Sequence, residues 1–200
     1  LKKVVLASSG APLGNALPPL TEATLPKPIS PYGASKLAVE GYCHAMMQAF
    51  DVPCCALRFS NIYGPYSYNK VSIVAAHIKN YLSSGEFIVE GHGRAKRDLI
   101  HVSDICEAIF ATFLKGRGGE VYNIGTGIPR SVLEITNDVK SEIMAMNLKE
   151  PRVRFAPERA SDIEVAFPEI TKATNELAWA PKKDFREGVR SCVEWYVERY

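Results

Sequence analysis

The sequence predicts an α/β fold with a parallel sheet at its core. Three observations carry that expectation: short apolar runs alternate with helical patterns, several helical patterns open on capping residues, and the first strand is apolar along its length. A strand near 3–8 holds the run Val4-Val5-Leu6-Ala7, which suits a strand covered on both faces. The proline-rich stretch from Pro12 to Pro31 reads as a loop. A helix near 31–50 follows, with Ser30 at its N-cap, Pro31 in its first position and a periodic run through Leu37, Ala38, Gly41, Tyr42, Ala45 and Met46. Strands near 52–59, 87–90, 97–102, 120–124 and 152–155 alternate with helices near 71–84, 103–115, 131–146, 171–177 and 184–199. Ser103, Ser131 and Asp184 are the expected N-caps of three of these helices. Repeats and low-complexity segments are absent from the sequence.

Composition bounds the function. With 46% hydrophobic and 23% charged residues in 22 kDa, the chain can bury one substantial core, here expected to be shared by two incomplete lobes. A formal net charge of +2, with no basic run beyond pairs, gives no reason to expect nucleic-acid or membrane partners. No apolar stretch approaches a membrane span and no signal peptide precedes the first strand, so a cytoplasmic location is expected. Cys43, Cys54, Cys55, Cys106 and Cys192 lack Cys-x-x-Cys spacing and read as buried thiols of a reducing compartment. His92 and His101 have no second ligand at helical spacing, and no metal site is expected.

Tyr32 and Lys36 sit four residues apart at the start of the helix near 31–50, on one face. Spacing alone does not single them out, because Tyr66 and Lys70 repeat it in a polar loop. The setting Ser30-Pro31-Tyr32-Gly33-Ala34-Ser35-Lys36 does. A phenol ionises near pH ~10 in isolation, and a neighbouring ammonium favours the phenolate. Tyr32 could therefore act as general base and acid with Lys36 as its electrostatic tuner. The plainer alternative is a half-exposed tyrosine beside a solvated lysine on a surface helix.

Five segments in order widen the pattern: Leu6-Ala7-Ser8-Ser9-Gly10-Ala11, the Ser30 to Lys36 run, Leu57-Arg58-Phe59-Ser60-Asn61-Ile62-Tyr63-Gly64-Pro65, Arg97-Asp98-Leu99-Ile100-His101-Val102-Ser103-Asp104 and Tyr122-Asn123-Ile124-Gly125. Together they resemble the extended short-chain dehydrogenase/reductase family, in particular its NAD-dependent nucleotide-sugar epimerases and dehydratases, and most of all UDP-glucose 4-epimerase-like members. The resemblance reaches Leu177-Ala178-Trp179-Ala180-Pro181 and is more specific for family than for substrate. It implies a truncated Rossmann-like parallel sheet with a small α/β substrate-binding lobe. Residues 1–70 would be the remnant of the dinucleotide-binding domain, and 71–200 mainly the substrate lobe, with 103–124 returning to the sheet.

The resemblance also implies roles. Ser9, Tyr32 and Lys36 match the catalytic serine, tyrosine and lysine, with Tyr32 and Lys36 also facing the cofactor, NAD. Asn61 and Arg97 match residues that hold the nucleotide phosphates, and Arg159 and Asp162 match, more loosely, residues at the nucleotide end. The implied chemistry is reversible hydride transfer from a UDP-sugar to NAD, rotation of the keto intermediate and return of the hydride to its other face.

Three departures stand out. The serine motif continues Gly10-Ala11-Pro12-Leu13-Gly14, and Val89 or Glu90 replaces the aromatic residue that usually meets the base. A Gly-x-Gly-x-x-Gly turn is absent: the clusters at Gly91, Gly116 and Gly125 all lack its context. The expectation is a chain without the family's N-terminal half that does not hold NAD on its own. Two classes follow, an enzyme portion inactive alone and a non-catalytic nucleotide-sugar-binding or interaction remnant. A strand at 3–8 stripped of its neighbours should also drive pairing through an exposed sheet edge, giving a homodimer.

Overall fold

In the computed structural model, which describes residues 2–157 and 165–200, a central strand organises the first layer. This strand, β2 (Cys54–Phe59), pairs in parallel with β1 (Val4–Ser9) on one side and β6 (Val121–Ile124) on the other. Its side chains alternate: Cys54 and Ala56 pack with Cys43 of α1 (Pro31–Phe50), while Cys55 and Leu57 pack with Ile105 and Ala108 of α3 (Val102–Lys115) and with Leu177 of α5 (Thr171–Leu177). A strand buried on both faces has no polar side to alternate, which is why this segment is almost continuously apolar. Arg58, the one charge in the run, falls on the α1 face.

The remaining strands carry the second lobe. β3 (Asn61–Tyr63), β5 (Lys96–His101), β7 (Pro129–Ser131) and β9 (Val165–Ala166) form a sheet in which β5 pairs parallel with β3 and β9 and antiparallel with β7. β4 (Glu86–Glu90) pairs in parallel with β8 (Arg152–Ala156). Against these lie α2 (Ile73–Ser84), α4 (Val132–Ala145) and α6 (Phe185–Val197), whose inner faces close a core around Phe87, Ile78, Ile143 and Tyr196.

Every predicted strand and helix has a counterpart with ends displaced by no more than two residues. β3, β7 and β9 were not foreseen; none exceeds three residues, too short to display a period. Ser30, Ser131 and Asp184 cap their helices as expected, Ser131 within a full capping box with Glu134. Ser103 does not cap α3. β5 runs into that helix without a loop, so the last strand residue, His101, takes the N-cap position and its Nδ1 accepts from the Ser103 amide at 3.2 Å. Burial is confirmed for four of the cysteines, and desolvation pushes the Cys43 thiol up to about 12 and that of Cys192 to about 11. Cys106 is exposed instead, because its turn of α3 faces an apolar hollow with Val5, Ile109, Phe110 and Phe113 rather than the sheet. Among the described residues no helix is long and apolar enough to cross a membrane.

One buried group couples the second lobe to pH. His77 on α2 stacks on Phe87 and its Nε2 lies 2.9 Å from Thr136 Oγ1. That hydroxyl already donates to the Val132 carbonyl, so Nε2 carries the proton, while Nδ1 is buried without a partner. Desolvation lowers the imidazole from 6.5 to about 4. A depressed folded-state value means the unfolded chain takes up the proton first, so this contribution is complete above pH ~6.5 and is lost toward pH ~4. Urea unfolding at pH 7 and at pH 4.5 should show a loss approaching ~3 kcal/mol, the ceiling set by the size of the shift. His77→Leu should flatten that dependence.

Candidate active site

The C-terminal ends of β1 and β2 stop side by side, with Ser8 opposite Arg58 and Ser9 opposite Phe59. Beyond Ser9 the chain turns at once through a single 3₁₀ turn, Ala11–Leu13, and the Ser9 hydroxyl accepts from the Ala11 amide at 3.2 Å. The proline-rich loop then forms a wall. Leu20 is its anchor: its amide donates to the Phe167 carbonyl, its carbonyl accepts from the Glu169 amide, and Asn123 Nδ2 donates to the same carbonyl at 2.8 Å.

Helix α1 begins against this turn. Ser30 Oγ accepts from the Gly33 amide at 3.0 Å, and Gly33 packs so closely that a Cβ there would lie 2.7 Å from the Ala11 carbonyl oxygen. Only glycine allows that approach, which brings Tyr32 beside the end of β1. Lys36, one turn on, donates from Nζ to the Ala7 carbonyl at 2.8 Å and lies 5.7 Å from the centre of the Tyr32 ring. Tyr32 itself is 56% exposed.

Ser9, Tyr32, Lys36, Asn61 and Arg97 all line one cleft of about 570 Å³. Asn61 Nδ2 is already engaged with the Asp98 carbonyl at 3.1 Å, and Arg97 Nη1 donates to the Lys96 carbonyl at 2.9 Å. Asp98 lies beneath them and holds the following turn through the amides of Thr126 and Gly127; burial raises its carboxyl against those hydrogen bonds. Arg159 and Asp162 lie outside the described residues. Lys70, from the second Tyr-x-x-x-Lys match, also lines the cleft, whereas Tyr66 points outward at 83% exposure. Lys36, Lys70 and Arg97 thus line this space as cations, together with Arg58, and among its described lining residues there is no carboxylate, although Glu40 just beneath pairs with Arg58.

Sequence reasoning missed the cluster beneath the cleft. Glu40, Ser8 and Arg58 are all buried, and one carboxylate joins them: Oε1 accepts from Ser8 Oγ at 2.6 Å and Arg58 Nε at 2.9 Å, and Oε2 from Arg58 Nη2 at 2.8 Å. Two signals were available. Glu40 continues the stripe of Tyr32 and Lys36 at the same four-residue step, and Arg58 interrupts an apolar strand.

For a dinucleotide these residues fit only in part. Tyr32 and Lys36 could face its reactive end, but none of the described strand-to-helix turns offers a glycine-rich pyrophosphate cradle, and β1 has no strand on its outer edge among the described residues.

The sequence profile of the NAD dependent epimerase/dehydratase family matches residues 1–125. The chain belongs to that family. Among its curated relatives, bovine dTDP-D-glucose 4,6-dehydratase is 28% identical over the whole of this chain, which spans 57% of that relative. Solved structures of the family agree in fold. A UDP-glucose 4-epimerase from Thermotoga maritima with UDP-glucose superposes with a TM-score of 0.90 at 31% identity, over 99% of this chain and 64% of that one. A dTDP-glucose 4,6-dehydratase from Bacillus anthracis in complex with NAD gives 0.85 at 29%, over 98% and 62%. The chain therefore spans less than two thirds of these family members, with a Rossmann-like α/β architecture throughout.

The buried cluster has a measurable weight. Glu40→Ala strands the Arg58 guanidinium inside the protein and should cost ~3–5 kcal/mol in urea unfolding. The double change Glu40→Leu with Arg58→Met removes both charges and should recover much of that loss.

Proposed function

We propose that the chain is the catalytic and substrate-binding portion of an NAD-dependent nucleotide-sugar epimerase, of the UDP-sugar 4-epimerase type. The observation that carries this reading is the cleft itself, whose described lining brings Ser9, Tyr32 and Lys36 together with Asn61, Lys70 and Arg97. Cationic and amide side chains suit a diphosphate, with Arg97 and Asn61 at the phosphates and the sugar toward Ser9 and Tyr32. Ser9 orients the sugar hydroxyl, and Tyr32 carries its proton with Lys36 as the neighbouring cation. NAD, when bound, supplies hydride acceptance and return. We assign residues 1–70 to the dinucleotide-binding side and 71–200 mainly to the substrate side, with 103–124 returning to the first sheet.

The described lining also favours the epimerase reading over a dehydratase. Eliminating water from a sugar requires a base at one carbon and an acid at the departing hydroxyl, whereas epimerisation moves one proton on and off one oxygen. The described lining, with no Asp, Glu or His, fits the second chemistry.

A second reading, a nucleotide-sugar-binding remnant without turnover, is favoured by one fact: no glycine-rich dinucleotide turn occurs in the 200 residues. Fluorescence titration with NADH tests whether this chain holds the cofactor by itself. We expect no saturable micromolar binding by this chain alone and no conversion of UDP-galactose with added NAD; either would restore full activity to the first reading. Calorimetry with UDP tests the cleft in both, and Arg97→Ala should weaken binding about tenfold or more, the effect of losing a charge-assisted contact.

We also propose that the chain forms a homodimer. The open edge of β1 and the apolar hollow of Val5, Ile109, Phe110 and Phe113 support this, because an uncovered edge beside apolar surface favours association. Sedimentation at micromolar concentration should find a dimer, and Val5→Lys should shift it to monomer. A wild-type monomer would end the proposal.

A further inference from the structure

The second Tyr-x-x-x-Lys match, Tyr66 to Lys70, has no part in the proton chemistry above, yet its loop is held at several points. Ser67 is buried, and its Oγ donates to the Gly64 carbonyl at 2.6 Å. Tyr66 before it adopts φ = 64°, a left-handed conformation that a bulky residue keeps only where its surroundings enforce it, and its ring packs 5.3 Å from that of Trp195. The Lys70 amide donates to the Ser67 carbonyl at 2.9 Å, which closes a turn with Tyr68 and Asn69 at its corners. Lys79, on α2, supplies a further hold: its Nζ donates to the carbonyls of Tyr68 at 2.9 Å and of Lys70 at 2.7 Å, and it lies 5.6 Å from the centre of the Tyr68 ring. Immobilising a lysine side chain has an entropic cost, and this one fixes the backbone of residues that are otherwise exposed. Among the residues of that turn, Lys70 is the one that lines the cleft, and its exposure leaves it open to a ligand there.

We propose that Lys79 is a positioning residue: by holding the Tyr68 and Lys70 carbonyls it fixes the backbone from which Lys70 serves the cleft, and so sets the affinity for the diphosphate of the ligand. The proposal rests on the nucleotide-sugar reading above. Lys70 and Arg97 come from separate elements, the loop before α2 and β5, so the two cations can meet a diphosphate together. A lysine on an untethered loop must be ordered as the ligand binds, whereas one on a loop already held is spared much of that cost. Lys79 is not among the described lining residues of the cleft, so its effect on a ligand passes through Lys70.

The test is a double-mutant cycle read by calorimetry with UDP on the full 200-residue chain. Lys70→Ala should weaken UDP binding about tenfold, the effect of one charge-assisted contact. Lys79→Met keeps the helix propensity of α2 and removes the donors to both carbonyls. It should weaken UDP about threefold in the wild-type background, a coupling expected within one hydrogen-bond network, and change nothing in the Lys70→Ala background, where no side chain is left to position. A charge acting at a distance, or general damage to the cleft, would weaken UDP equally in both backgrounds, and that result overturns the proposal. If Arg97→Ala weakens UDP while Lys70→Ala and Lys79→Met do not, the inference fails and the nucleotide-sugar reading stands; if the wild-type chain does not bind UDP, both fall.

Discussion

A single carboxylate holds this candidate active-site region in register. Glu40 receives donors from two adjacent strands at once, Ser8 from β1 and Arg58 from β2, and it does so from the third turn of the helix that carries Tyr32 and Lys36. The strands cannot slide against one another, nor the helix rotate over them, without breaking a fully buried ion pair. An uncompensated charge in such a place is far more costly than a lost surface contact. The closeness of Gly33 to Ala11 fixes the same helix at its other end, so both the height and the rotation of Tyr32 are set.

Around that joint the two halves of the chain contribute different properties. The β1–β2–β6 layer is apolar, and it presents Ser9 at a strand end and, through α1, Tyr32 and Lys36 at a helix start. The second lobe supplies Arg97, and the loop after β3 supplies Lys70. The cleft lies between these two sides.

Much of the fold was legible because the long elements repeat their period often enough to be seen. α1 shows Ser30, Pro31 and then five turns of pattern, and β2 shows an unbroken buried run. β3 and β9 show neither, since they exist only through their pairing with β5. His101 was invisible as a cap because an imidazole lone pair does the work usually given to a hydroxyl, in a place where strand meets helix directly. At the site, Ser9, Tyr32, Lys36, Asn61 and Arg97 were legible from their motifs, and the structure brings them to one cleft. Glu40 and Arg58 were not, because a buried ion pair joins residues 18 apart whose partnership no local pattern announces.

The wall of the cleft draws on distant parts of the chain. Leu20 is held by Asn123, 103 residues away, and by the backbone at Phe167 and Glu169. Closing loops of that length is slow and entropically unfavourable until much else is in place. The binding surface is thus a product of completed folding and cannot be assembled by either lobe alone. Any molecule that binds there stabilises the native state as a whole, so occupancy of the cleft and integrity of the fold rise and fall together.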